Sequence, residues 1–394
     1  MAHRSERGPS VVYVLPDSVG GLLTIIANLL QHRRPDEFEY RAVLTHNRFG
    51  TDARFTGHLA ADRETAVEFA MPLENIHAVA RRLARAIGDG PGVLVCNDFA
   101  EMLLLSILDP GRTIVQILHG DYDYYYDLAV THAPLVHAFV AYSRTVYETL
   151  CDRLPHRRDS IFWLSYGVPI PARVRAATPG PVRLLFVGRL DESKGVFDLP
   201  GIDRALRALG VVASWTVVGN GPAGPALHAR WTDESVRWVP NATVPEVAAL
   251  CAEHDVFVLP SQAEGLSVAT MEAMSAGVVP VVSDLRSMAE IVEPGQTGYR
   301  VPLGDPAAFA AAIAGLARDG DRLEAMSRAA RQVVVDRFDI RSRAQAYQDL
   351  YAQWRALYRP RPARVTVPYG SRLDQPWIPN AVVRAVRSAV RMVR

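Results

Sequence analysis

Cysteine is scarce in this chain, with three in 394 residues. Cys96, Cys151 and Cys251 lie far apart, and no CxxC occurs. An odd, scattered set excludes a disulfide framework and leaves buried thiols in a reducing cytoplasm as the expectation. Long apolar runs are also missing. Nowhere do about 18 uninterrupted apolar residues occur, so no spanning helix is expected. The first residues, MAHRSERGPS, are polar, and VVYVL is too short for a signal-peptide core of roughly 7–15 apolar residues. The formal net charge is only +1. Without a field of one sign, a general nucleic-acid partner is not expected. Short repeats and low-complexity tracts are absent too.

What is present reads as α/β. A chain of 394 residues suggests two domains, because single cores seldom pass roughly 250–300 residues. Short apolar runs at 11–16, 40–46, 92–98, 113–119 and 138–143 alternate with helical patterns such as 22–33. That alternation implies a parallel sheet covered on both faces. Residues 170–182, rich in proline, interrupt the pattern as an expected linker. It resumes with runs at 183–188, 214–219, 236–240, 255–260 and 278–283, and ends in a long helical pattern over 338–358. The expected architecture is two doubly wound, Rossmann-like domains facing a central cleft. They span 1–175 and 182–340. A terminal helix at 341–360 crosses back to the first domain, and a basic tail follows at 361–394. Ligands of such sheets bind outside the carboxyl ends of the strands.

Four stretches carry chemistry. In VGRLDESKG (187–195), Gly188 permits a tight exit from a strand, and Arg189 and Lys194 follow before a helical pattern. A strand end beside a helix start favours anions, and two cations there suit a diphosphate. A solvated basic loop is the plainer alternative. No Gly-Lys-Ser/Thr sequence occurs, which excludes a P-loop. GGLLT (20–24) opens a helix after the first strand, so the amides near Gly20 and Gly21 would point at a ligand, or simply make a turn. VVGNGPAG places Gly219, Gly221 and Gly224 as GxGxxG, a weak sign of a dinucleotide site. The fourth is SQAEGLSVATMEAMSAG, with Glu264 and Glu272 eight residues apart. If both were helical they would be separated by about 12 Å along the axis, too far for an acid–base pair on one glycosidic bond. They suit two hydroxyl-bearing groups of one extended ligand. Between them, the amides of Gly265, Leu266 and Ser267 would cap a helix start and face a phosphate.

Gly20-Gly21, VGRLDESKG, VGNGP and above all EGLSVATME, with the stretch from Ala273 to Val282, resemble the retaining glycosyltransferases of family 4, which have the GT-B fold. The likeness runs over about residues 10–358 and is strongest over 183–300. It implies that Arg189 and Lys194 hold the donor diphosphate, that Glu264 binds donor-sugar hydroxyls, and that Glu272 binds the ribose. Gly20, Gly21, Gly188, Gly219 and the amides of Gly265, Leu266 and Ser267 would complete the donor site. His119 matches the family's cleft histidine and would touch the sugar. No metal or other cofactor is implied, because cations already sit on the leaving group. One departure is WVPNATV, where relatives often carry glycine; this turn lies near the nucleobase in the family.

Two features fall outside that resemblance. Asp121-Tyr122-Asp123 imitates the DXD metal motif of another glycosyltransferase fold. With Tyr124 it is read here as an acceptor contact, a polar loop being the alternative. The tail 377–394 places Arg384, Arg387, Arg391 and Arg394 on one helical face and valines on another. It would lie on an anionic membrane or pack back onto the body. The expected activity is metal-independent transfer of a sugar from a nucleotide-sugar donor, UDP-linked, to a hydroxyl of a small polyhydroxylated or natural-product acceptor. Alternatives are a lipid-linked or cell-surface glycan acceptor with a GDP-mannose donor, and an NAD-dependent oxidoreductase.

Overall fold

The computed structural model describes residues 8–18, 21–50, 54–55, 57–178, 180–366 and 370–392. The chain divides into two units, 1–164 with 344–394, and 165–343. The first contains β1 (Ser10–Pro16), β2 (Glu39–Asn47), β3 (Arg63–Phe69), β4 (Gly92–Cys96), β5 (Thr113–Leu118), β6 (Ala138–Ala141) and β7 (Ile161–Trp163). They form one parallel sheet in the order β3-β2-β1-β4-β5-β6-β7. The second unit contains β8 (Val182–Val187), β9 (Ala213–Val218), β10 (Val236–Val239), β11 (Val256–Leu259), β12 (Val279–Ser283) and β13 (Tyr299–Val301). Its parallel order is β10-β9-β8-β11-β12-β13.

Valine- and leucine-rich runs become central strands because helices cover both faces; β4, β5 and β12 are buried along their whole length. Each sheet reverses its winding once, between β1 and β4 and between β8 and β11. Those reversals open the crevices in which doubly wound sheets hold ligands. The sequence pattern missed β3, β7 and β13. β3 is a charged edge strand, RETAVEF, and the other two have three residues each. None is long enough or apolar enough to show a period. All three cysteines are buried and unbridged.

The proline-rich stretch expected as a linker is laid against the second unit. Buried Arg175 pairs there with Asp255 at 2.9 Å and with Glu324 at 2.5 Å. The long C-terminal helical pattern also divides, into Ile340–Ala352 and Trp354–Leu357, with Gln353 at the break. Residues from 344 onward belong to the first unit. They are held there by Tyr351, whose hydroxyl meets that of Tyr13 at 2.9 Å, and by Gln348, which bonds both the amide and the carbonyl of Arg34. The tail forms helix Asn380–Met392 and packs on the same unit through Val383 and Arg387. Arg394 lies outside the described residues.

Both tyrosine hydroxyls of the Tyr13–Tyr351 pair are fully buried. Tyr13→Phe should therefore lower stability by about 1–3 kcal/mol, the cost of stranding the Tyr351 hydroxyl. The Tyr13→Phe/Tyr351→Phe double variant should recover most of that loss. Denaturant unfolding of the three proteins checks both outcomes.

Candidate functional site

In the second unit the candidate residues gather at the carboxyl ends of β8 and β11, the two strands flanking the reversal. After β8 the chain passes Gly188 and Arg189 and enters two short 3-10 turns, Glu192–Lys194 and Val196–Asp198, hinged at Gly195. Gly195 is left-handed (φ 65°), and a Cβ there would stand 1.8 Å from the carbonyl oxygen of Pro260. Only glycine lets this loop lie on the end of β11. The contact is closed by the amide of Gln262, which donates to the Ser193 carbonyl at 2.8 Å. Lys194 Nζ thereby reaches Glu264 Oε1 at 2.7 Å, and the Ser261 hydroxyl donates to the same oxygen at 2.7 Å. Ser287 holds the Glu264 backbone carbonyl at 3.0 Å. Arg189 is more exposed and leans on Asp191 at 3.3 Å.

Lys194 is the only lysine in the sequence; the other 42 of the 43 basic residues are arginines. That singularity was a signal available in the composition. A compact ammonium differs from a planar guanidinium in hydration and reach, and the chain uses it once, here.

Glu264 and Glu272 are not both helical. Helix Val268–Ser275 starts after Glu264 and is capped by Ser267, whose hydroxyl accepts from the Thr270 amide. Among the described residues, no group accepts from the amides of Gly265, Leu266 or Ser267. Leu266 and Ser267 are nevertheless buried. Amides without acceptors on buried residues are rare, and Leu266 and Ser267, with half-buried Gly265 beside them, suit an anion at this helix start. Glu272 lies within that helix. Desolvation lifts its carboxyl to about 7, and no described group bonds it. A largely buried carboxylate without a donor is costly until hydroxyls or amides reach it.

The glycines of the apparent dinucleotide fingerprint have another use. A Cβ at Gly219 would lie 1.9 Å from the Gly188 carbonyl oxygen, and one at Gly221 would lie 2.4 Å from that of Leu190. Both have positive φ. They let the turn after β9 pass under the loop that carries Arg189. This turn also sits one strand away from the sheet reversal. The geometry gives no support to a nicotinamide site. Asn241, in the departing WVPNATV turn, bonds Asn220 at 2.6 Å.

In the first unit, Gly21 starts helix Gly21–Gln31 with open space where a side chain would be, and Gly20 lies outside the described residues. His119 follows β5. Its Nε2 meets Asn97 Oδ1 at 2.7 Å. The Asn97 amide nitrogen donates to the Val14 carbonyl at 2.8 Å, which fixes Oδ1 as the acceptor and places the imidazole proton on Nε2. Burial pushes the His119 pKa down to about 3, so the ring is neutral. Asn97 was not singled out from the sequence, although an Asn-Asp pair directly after a buried strand at the reversal marks such a position. Behind it, Glu101 accepts from the Asn97 and Asp98 amides at 2.8 and 3.1 Å. Burial, then the charge of Asp98, lifts the Glu101 carboxyl to about 8.

The two carboxylates of the DXD imitation have separate partners. Asp121 takes the Tyr126 hydroxyl at 2.6 Å, while Asp123 begins helix Asp123–His132 and pairs with Arg153. Tyr124 donates to Asp98, and its ring meets that of Tyr125 edge-on at 5.1 Å. Tyr122 and Tyr124 are exposed, and the Tyr122 ring lies against Gly120. Among the described residues, no group of three metal-ligating side chains comes together.

Residues 181–319 match the family model for glycosyl transferases group 1. WcaL of Salmonella typhimurium, a protein named for colanic acid biosynthesis, is 37% identical over 174 residues, 41% of this chain and 43% of the relative. The glycogen synthase of Mycobacterium tuberculosis is 32% identical over 185 residues, 46% of this chain and 45% of the relative. The chain thus matches less than half the length of these relatives. The crystal structure of Anabaena HepE in complex with UDP and glucose aligns with 86% of this chain and 99% of HepE, at a TM-score of 0.69 and 16% identity, a likeness of fold. Residues 181–319 are thus similar to the glycosyl transferases group 1 family, and the two parallel sheets of the chain are those of the GT-B fold.

Proposed function

We propose that this chain is a metal-independent retaining glycosyltransferase of the hexosyl type. It moves a sugar from a nucleotide donor, a UDP-sugar, to a hydroxyl. One observation carries this reading: the second unit holds a set of unmet hydrogen-bonding groups at its sheet reversal. The amides of Gly265, Leu266 and Ser267 lack acceptors, the Glu272 carboxylate lacks donors, and the ammonium of Lys194 lies on Glu264 at 2.7 Å. A diphosphate would accept from the amides, from Lys194 and from Arg189. Ribose hydroxyls would donate to Glu272. Sugar hydroxyls would donate to Glu264. HepE, the structural neighbour, holds UDP and glucose, which agrees with this choice of donor.

In the proposed step the bond between the anomeric carbon and the diphosphate oxygen breaks, and a bond to the acceptor oxygen forms on the same face. The departing phosphate takes the acceptor's proton. Lys194 and Arg189 stabilise the negative charge that develops on it. Neutral His119, with its proton on Nε2, is assigned to the donor sugar by the resemblance.

The acceptor is proposed to enter a cavity of about 350 Å³ in the first unit, at the carboxyl ends of β1 to β4. Asp17, Asp98 and His46 give it polar walls, and Met71, Phe99 and Leu103 an apolar floor. Its described lining holds carboxylates and no lysine or arginine. That chemistry suits hydroxyls or an amine on a ring with one apolar face, such as a small polyhydroxylated or natural-product acceptor. A lipid-linked glycan acceptor is the second reading. It is favoured by the tail helix, whose apolar face is turned outward.

Calorimetric titration with UDP, with EDTA present, should show binding; binding of NAD instead would overturn the reading. Lys194→Ala should cut turnover at least about tenfold, or roughly 1.4 kcal/mol of transition-state stabilisation. With a single lysine present, amine-directed labelling followed by peptide mapping should mark Lys194 and be blocked by UDP. Turnover should be unchanged by EDTA, and a strict need for Mn²⁺ would revive the DXD motif.

Glu272 makes a pH prediction. Its folded pKa of about 7 lies above the unfolded value of about 4.3. The folded state therefore holds the proton more tightly, and stability falls as pH rises through that window. Glu272→Gln lacks the penalised charge. It should melt higher than the parent at pH 8, with the difference shrinking as pH falls and vanishing only below about 4.3. UDP affinity should rise with pH more steeply in the parent than in the variant, because donors reaching the carboxylate favour its ionised form.

A further inference from the structure

Helix Asn380–Met392 is amphipathic, but it is mounted inside out. Asn380 and Arg387 turn to the body, while Arg384 and Arg391 touch it and stay exposed. Asn380 accepts from the Asn75 amide at 2.8 Å, and Arg384 lies 3.8 Å from Glu74. Arg387 donates to the carbonyls of Pro72 and Glu74 at 2.9 and 2.6 Å and pairs with Asp374. Arg391 stacks over the Phe49 ring at 4.8 Å. Of the valines, only Val383 is buried, at 0% exposed. Ala381, Val382, Ala385, Val386, Ala389 and Val390, at spacings i, i+1, i+4, i+5, i+8 and i+9, are all exposed. They form one face without a polar group. Trp377, just ahead of the helix, is 74% exposed.

We propose that this outward face docks the first unit on an anionic lipid bilayer. A surface helix ordinarily buries its apolar stripe and shows its charges to water. Here the order is reversed, and the medium that meets the stripe is apolar. The surroundings select the kind of medium. Helix Ile76–Ile87, against which the tail packs, exposes Arg81 and Arg85, and the tail adds exposed Arg372, Arg384 and Arg391. The acidic groups beside them, Glu74 and Asp374, are buried and already paired with arginines. An apolar strip with exposed guanidiniums on its own helix and on the helix it packs against matches acyl chains beneath anionic headgroups. An exposed tryptophan is the residue favoured at that boundary. A second copy of the chain would set like-charged guanidiniums against each other, and a nucleic-acid backbone offers nothing apolar to the strip. Seated this way, the helix lies in the interface and does not span it. Arg391 over Phe49 also ties the seated end to the 47–50 segment, which contributes Asn47 and Gly50 to the acceptor cavity. The proposal stands apart from the sugar-transfer reading, because it concerns a surface and needs no nucleotide.

The full chain is sedimented with vesicles of phosphatidylcholine alone and of equal parts phosphatidylcholine and phosphatidylglycerol. It should pellet with the anionic vesicles. Val382→Glu/Val386→Glu, two exposed positions, should lower the bound fraction about tenfold or more, with melting and UDP titration unchanged. If the parent stays in the supernatant with anionic vesicles, the proposal fails. It also fails if the variant pellets as well as the parent, since arginines alone would then account for binding. A dimer seen by analytical ultracentrifugation and lost in the variant, without vesicle binding, would give the face to a second copy.

Discussion

The loop after β8 can lie on the end of β11 only because residue 195 has no side chain. A Cβ there would sit 1.8 Å from the Pro260 carbonyl oxygen. That approach sets Lys194 against Glu264 and brings residues distant in sequence to the same point of the sheet reversal. The same device recurs one layer away, where Gly219 and Gly221 make room for the carbonyls of Gly188 and Leu190. The motif glycines therefore serve backbone against backbone. An amino-acid side chain at any of the three would move the loop that carries both site cations.

Parallel sheets create the place, and unmet polar groups define what fits there. Elsewhere in the second unit, buried Asp255 is fully served: it receives Arg175, Arg183 and a backbone amide. The reversal differs. Among the described residues, three amides and one carboxylate there have no partner. The first unit behaves differently at its own reversal. There Asn97 ties β1 to β5 through Val14 and His119, and Glu101 fixes the backbone of Asn97. The result is a neutral, oriented imidazole. One crevice is built with vacant valences and the other with a preset one.

The tail shows how far local pattern can mislead about surfaces. Helical spacing separates its arginines from its valines, and from that spacing the basic face is the natural candidate for solvent or lipid. Glu74 and Asp374 reverse the choice. Each is buried, and each requires a cation. Arg82 meets Glu74 and the tail's own Arg387 meets Asp374, which turns Arg387 inward and leaves the apolar stripe outside.

Much of the fold, and the gathering of the candidate residues in the second unit, was legible in the sequence. Long β-branched runs bounded by glycine and proline marked the central strands. Arg189, Lys194, Glu264 and Glu272 stood out because charge directly after a buried strand must serve something. The edge strands β3, β7 and β13 were not legible, since three residues or a charged edge carry no period. Nor was Asn97, whose importance comes from Val14 on β1 and His119 just after β5. The break at Gln353 and the seat of residues 344–394 on the first unit depended on Tyr13 and Arg34, more than 300 positions earlier. The sequence by itself determined which faces each element has, because periodicity is local. Only the tertiary structure decided which face meets the body, because that depends on buried charges and hydroxyls that no neighbouring residue can satisfy.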